Sequence, residues 1–154
     1  MWATPPKAVA VSSANVTPVA AAPAPVAAPA RPNLAAGNVI SLLSNAYVNV
    51  PVDTWSAVWD QADVTDVKIG GDDMKKYSNL VFAGIEFTGK VIDATAMTTY
   101  HVDLWTPDAT VFKVKLVDFG ADGKFGGGDD TEHELIFDAN SNPKLVTGQW
   151  IGFE

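Results

Sequence analysis

Residues Asp118 to Glu134 read Asp-Phe-Gly-Ala-Asp-Gly-Lys-Phe-Gly-Gly-Gly-Asp-Asp-Thr-Glu-His-Glu. These 17 residues hold six carboxylates, five glycines and one lysine. Packing so many like charges together costs energy unless water solvates them or a cation is shared. Glycine lets the backbone turn so that oxygens from distant positions converge. Hard oxygen ligands on a flexible loop suit calcium. Asp118, Asp122, Asp129 and Asp130 are therefore the candidate ligands of a structural calcium ion. Their pattern lacks the helical flanks and the twelfth-position glutamate of an EF-hand. A solvated acidic loop between two strands is the competing reading.

A second group of residues suits recognition of sugars. Pyranose C–H faces need flat apolar surface, and hydroxyls need polar partners; aromatics with a polar handle supply both at low entropy cost. In Tyr100–Thr106, His101, Asp103 and Trp105 share one face of a strand, while Val102 and Leu104 share the other. Lys113, Lys115 and Glu86 are candidates to stand beside that face. The alternative is that Trp105 packs under a loop and Asp103 pairs with a lysine on the neighbouring strand. Trp55 and Trp59 are spaced four apart, which would align them on one helical turn. They lie in a loop-rich segment, where recognition residues concentrate. Trp55 is expected to be the more exposed of the two. Trp150 is expected to pack rather than bind, and Trp2 has no assigned role.

Catalytic signatures are missing. Glycoside hydrolysis needs two carboxylates about 5–10 Å apart, and no acid here sits in a recognisable catalytic motif. Two histidines on separate strands, no cysteine and no Gly-x-Ser-x-Gly give poor support for nucleophilic catalysis. Gly126–Gly128 is flanked by acids, which argues against a phosphate cradle. The expectation is a non-catalytic domain.

The elements that must position these residues are short strands. Val39–Leu43 is an apolar run of strand length. Val64–Ile69 alternates, and Gly70-Gly71-Asp72 is a strong turn signal. Met74–Leu80 and Val81–Phe87 read as the next two strands, and Ile92–Met97 is irregular. Val111–Val117 directs Phe112, Val114 and Leu116 one way and Lys113 and Lys115 the other. Beyond the acidic loop, His133, Leu135 and Phe137 oppose Glu132, Glu134 and Ile136. Asp138–Pro143 is a turn cluster, and Gln149–Phe153 begins a last strand. Sustained helical periodicity is absent, so the pattern predicts an all-β sandwich.

Composition separates a leader from this domain. Residues 3–37 hold seven of the ten prolines and 13 alanines, with Lys7 and Arg31 their only charges. Residues 1–37 are read as a disordered, extended Pro/Ala-rich linker, and 38–154 as the folded domain. All 18 acids fall in 38–154 against eight lysines, a formal charge of −10. That charge argues against nucleic acid and anionic membrane surfaces. No apolar run approaches the roughly 20 residues of a membrane span. Absence of cysteine excludes disulfides and thiolate metal sites. No signal peptide is visible at the N-terminus.

Several segments, in order, resemble non-catalytic modules attached to secreted bacterial glycoside hydrolases, laminarinase-like enzymes among them. They are Val39–Tyr47, Lys76–Leu80, Ile92–Thr98, His101–Thr106, Phe112–Gly120 and Thr147–Trp150. The resemblance implies a galactose-binding-like β-sandwich (jelly roll) that binds polysaccharide. It implies one structural calcium, bound by the acidic loop or by carbonyls near Ser44 and Asn45. It also implies a β-1,3-glucan such as laminarin as ligand, a linked catalytic domain, and a secreted or cell-surface location. Such modules often carry aspartate where this chain has Asn45, which would be a weaker cation ligand. The family pattern continues past the Gln-Trp strand, so the last strand is expected to be incomplete. The runner-up is a structural or adhesive extracellular sandwich domain stabilised by calcium. A fragment of a glycosidase's catalytic domain ranks third.

Overall fold

A computed structural model describes residues 21–90 and 92–154. Trp2 and the first 20 residues of the expected linker lie outside the described residues. The described chain is all-β apart from a 3-10 turn at Ala36–Asn38. Its six strands are β1 (Gln61–Ile69), β2 (Asp72–Phe82), β3 (Val102–Leu104), β4 (Val111–Asp118), β5 (Thr131–Asp138) and β6 (Ile151–Phe153). They pair antiparallel as three two-stranded sheets, β1–β2, β3–β6 and β4–β5.

β1 and β2 form a hairpin over Gly70 and Gly71, with φ of +59° and +94°. A two-residue turn whose backbone twist matches the strands needs positive φ at both positions, which glycine adopts without steric cost. Val64 opposes Tyr77 and Val67 opposes Met74. All four side chains are half-buried. The two expected strands between Met74 and Phe87 are instead one strand ending at Phe82, followed by an isolated bridge from Glu86 to Thr54. The ladder slips between Gln61 and Asp63, and Asn79 takes φ +51° there. Extra residues on one strand bend it and sharpen its twist. Leu80, Val81 and Phe82 consequently emerge to solvent.

Val39–Leu43 does not form a strand; Ser41 makes only an isolated bridge to Asn49. The Asn49 side chain takes the place of a partner strand. Its Oδ1 accepts from the Ser41 hydroxyl at 2.6 Å and the Ser44 amide at 2.9 Å, and its Nδ2 donates to the Ser44 carbonyl at 3.1 Å. Such side-chain bonds compete with sheet ladders for the backbone.

The main core lies between β3–β6 and β4–β5. Phe153 is fully buried, and its ring stacks on Phe137 at 4.2 Å. Phe112 also stacks on Phe137, at 6.3 Å, and Leu145 belongs to the same cluster. Val102, Leu104, Val114, Leu135 and Ile151 pack around it. The alternation legible in β4 and β5 thus points its apolar face into this cluster. On the opposite face Lys113 meets Glu134 at 3.1 Å and Lys115 meets Glu132 at 2.9 Å.

The described part of the Pro/Ala-rich segment is laid against the strands. The Ala22 amide donates to the Pro107 carbonyl at 3.4 Å, and the Ala27 carbonyl accepts from the Trp150 indole at 2.7 Å. Arg31 pairs with Asp72 at 2.5 Å. A chain without a hydrophobic period has little to bury, but its carbonyls still take donors. Composition reports the first property and not the second.

Candidate functional site

The predicted sugar face divides between separate places. β3 and β6 pair Asp103 with Gly152. Glycine there leaves room for two side chains: a Cβ at Gly152 would sit 3.1 Å from Asp103 Oδ1 and 3.2 Å from His101 Cε1. His101 Nε2 lies 3.4 Å from Asp103 Oδ2, and its Nδ1 lies 3.7 Å from Glu154 Oε1. His101 is exposed, while Asp103 and Trp105 are half-buried. The face therefore holds His101 and Asp103 together with Glu154, which the spacing did not suggest. Lys113 and Lys115 turn to the glutamates of β5.

Glu86 belongs to a different surface. Its Oε1 accepts from the Trp59 indole N–H at 3.0 Å. Trp59 stacks on Phe82, with ring centroids 6.2 Å apart and planes 21° apart. Trp59 is 60% exposed and Phe82 43% exposed. The segment beneath the ring is clipped at several points. Ala57 donates its amide to the Gly84 carbonyl at 3.0 Å, and the Gly84 amide donates to Asp60 Oδ2 at 2.9 Å. Gly84 is buried, and a Cβ there would come within 2.6 Å of the Trp59 ring. The missing side chain lets the indole lie on the backbone.

Trp55 is not the more exposed of the two tryptophans. It is half-buried, its carbonyl accepts from the Tyr77 hydroxyl at 2.7 Å, and Lys75 Nζ stands 5.0 Å from its ring centroid. No helical turn aligns it with Trp59; residues 57–60 form a tight turn closed by the Asp60 amide on the Ala57 carbonyl. Trp59 is thus the more exposed of the pair. Sequence reasoning missed Phe82 as well. The only signal was three apolar residues in a row, Leu80-Val81-Phe82, where alternation would place one of each two in water.

Tyr77, bonded to the Trp55 carbonyl, and Tyr100 are both half-buried. Burial, then the nearby Asp60 and Tyr100, push the Tyr77 hydroxyl up to about 12. Burial raises Tyr100 too. Each favours the neutral phenol, because a buried phenolate loses its water. At the hairpin tip Lys68 bonds the Asp73 carboxylate and, with Asn45, holds its pKa below the usual value.

The acidic loop is closed by its own aspartates. Asp129 Oδ2 accepts the amides of Ala121 at 2.8 Å and Asp122 at 3.3 Å. Asp118 caps Gly120, Asp122 caps Lys124, and Asp130 Oδ2 caps Gly126. Asp122 and Asp129 both approach Gly127, and Asp130 Oδ1 is buried without a partner among the described residues. Among the described residues no three His, Asp or Glu side chains are grouped as metal ligands. Asp118, Asp122, Asp129 and Asp130 thus share a loop, with amides rather than a common centre as their partners. The second expected cation position is also engaged. Asn45 Oδ1 accepts the Asp73 amide at 2.9 Å, and the Ser44 carbonyl accepts from Asn49.

One hollow is lined by Leu43, Asp66, Asp73, Met74 and Lys75, another by Leu34, Gly37, Asn38 and Ala96–Thr99. Neither has an aromatic wall. No family model, curated protein or solved structure matches the chain.

Proposed function

We propose that this domain is a non-catalytic carbohydrate-binding module that holds an attached catalytic domain on a β-glucan of the laminarin type. The observation that carries the reading is the Trp59–Phe82 platform with Glu86 at its rim. The Trp59 indole, 60% exposed, offers apolar area of the kind that a pyranose C–H face needs. Glu86, already bonded to that ring, has a second carboxylate oxygen for a sugar hydroxyl. His101 and Asp103 form a second candidate contact, with one imidazole and one carboxylate over Gly152, and Trp105 follows on the same strand face by spacing. The choice of β-1,3-glucan, the galactose-binding-like sandwich, the structural calcium and the secreted or cell-surface setting rest on the resemblance. Tethering of this kind raises the effective concentration of substrate at a linked enzyme.

The test is a laminarin titration of the full chain followed by tryptophan fluorescence, with Trp59→Ala and Trp105→Ala beside the wild type. A saturable change that Trp59→Ala weakens at least about tenfold, or about 1.4 kcal/mol, supports the reading. A flat titration on a folded sample overturns the laminarin assignment and favours the structural or adhesive alternative.

A further inference from the structure

The contacts of residues 22–31 share a feature that a linker does not need. They fall on elements far apart in sequence, in an ordered series. Ala22 meets Pro107 between β3 and β4, and it also fills the space over Gly148, where a Cβ would come within 2.9 Å of its own. Ala27 then takes the Trp150 indole N–H at 2.7 Å. Ala28 lies against the β1–β2 turn, where a Cβ on Gly70 would be 2.8 Å from its amide nitrogen. Arg31 ends the series with two nitrogens on the two oxygens of Asp72, at 2.5 and 3.3 Å. Asp72 is the more covered partner, its side chain 13% exposed against 62% for Arg31.

Each contact uses what a Pro/Ala segment has. Proline supplies no N–H, so Pro23, Pro25 and Pro29 hold the chain extended and leave carbonyls without a ladder partner. An indole N–H is a donor that needs an acceptor when half-covered. Small side chains let the segment approach glycine backbone closely. A forked guanidinium is suited to a carboxylate. Among the described residues the β1–β2 hairpin is not laddered to the other two sheets, and this segment runs from one group to the other.

We propose that the surface from Pro107 and Trp150 to the Gly70–Asp72 turn is a recognition site for an extended, uncharged Pro/Ala segment ending in a basic residue. Residues 22–31 occupy it in cis and strap the β1–β2 hairpin to the Phe137–Phe153 core. The inference is independent of the glycan reading.

The test follows hydrogen exchange of the Trp150 indole N–H in the full chain, its resonance assigned by its loss in Trp150→Phe. In wild type this proton exchanges slowly. Arg31→Glu sets two carboxylates against each other and speeds its exchange at least about tenfold, because the strap is released. The double variant Arg31→Glu/Asp72→Arg restores slow exchange. A synthetic peptide of residues 21–33, added in trans to the Arg31→Glu chain, also restores it. Fast exchange in wild type, or no recovery in the double variant, overturns the strap. A peptide that fails to restore protection overturns the recognition site. Both variants lie on exposed or part-exposed side chains, so folding is checked by an unchanged circular dichroism spectrum.

Discussion

The indole N–H of Trp59 donates to the Glu86 carboxylate at 3.0 Å, and the two residues are 27 positions apart in sequence. The bond fixes the Nε1 edge of a ring that stacks on Phe82 and whose Cζ2–Cη2 edge lies close to Gly84. Orientation of the platform therefore depends on three residues outside the segment that carries Trp59.

Gly84 gives the first prediction. A methyl group at this position would lie 2.6 Å from the Trp59 ring and 2.9 Å from the Ala57 Cβ. Either the ring lifts or the clip between Ala57 and Gly84 opens. Overpacking of this kind costs about 1–3 kcal/mol. Gly84→Ala is expected to lower the urea midpoint and to weaken laminarin binding together. Retained binding at reduced stability would place the glycan contact away from Trp59.

The second prediction concerns the core. Phe153 is fully buried, stacks on Phe137, and belongs to a strand of only three residues. Phe153→Ala removes a large apolar surface and leaves a cavity, a loss of about 3–5 kcal/mol. Phe112 is only half-buried, so Phe112→Ala should cost less. Denaturant unfolding of both variants measures the order, and an equal or reversed order would remove Phe153 from the centre of the core.

How far the sequence discloses this arrangement depends on the range over which each signal acts. Gly70-Gly71 is legible because a two-residue turn is specified by its own backbone angles. Phe112, Val114, Leu135 and Phe137 are legible because a strand's period of two marks its dry face. Val39–Leu43 misleads because the Asn49 side chain takes the Ser41 hydroxyl and the backbone of Ser44, just past the run, and turns the chain there. The order of exposure of Trp55 and Trp59 is the reverse of that expected because their surroundings include Lys75, Tyr77, Gly84 and Phe82, all distant in sequence. The strap is invisible to composition because its partners are one indole, one proline carbonyl and one aspartate scattered over the domain.

A third prediction is a loss of stability at high pH. Tyr77 binds its proton more tightly folded, up to about 12, than in the unfolded chain, at 10.0. Between those values the folded state holds a proton that the unfolded state has released, so stability falls as pH rises. The contribution is fully present below about pH 10 and gone above about pH 12. Screening of a part-exposed group reduces the full linkage to about 1 kcal/mol. Tyr77→Phe is expected to flatten this part of the stability curve, at the separate expense of the hydrogen bond to the Trp55 carbonyl. An alkaline slope that persists unchanged in Tyr77→Phe would assign it to another group.

The acidic loop supplies the last prediction. Asp129 organises it by accepting two amides on one oxygen, while its other oxygen and Asp122 Oδ2 both face Gly127. Asp129→Ala removes both bonds, and the Ala121 and Asp122 amides turn to water at a cost of about 1 kcal/mol. Gly120→Ala acts from the opposite side: φ is +68° there, and its Cβ would fall 2.5 Å from Asp129 Oδ2. Both variants are expected to lower stability without calcium. A calcium ion bound by these carboxylates adds a further term, because a ligand taken only by the folded state stabilises by about 2.7 kcal/mol at a hundredfold excess over Kd. Thermal unfolding of the wild type in chelator and in millimolar calcium measures that term. A rise in Tm that Asp129→Ala and Asp122→Ala each abolish would put the ion in this loop. A rise that survives both variants would move it elsewhere, and equal Tm values in the two conditions would leave the loop closed by its own amides alone.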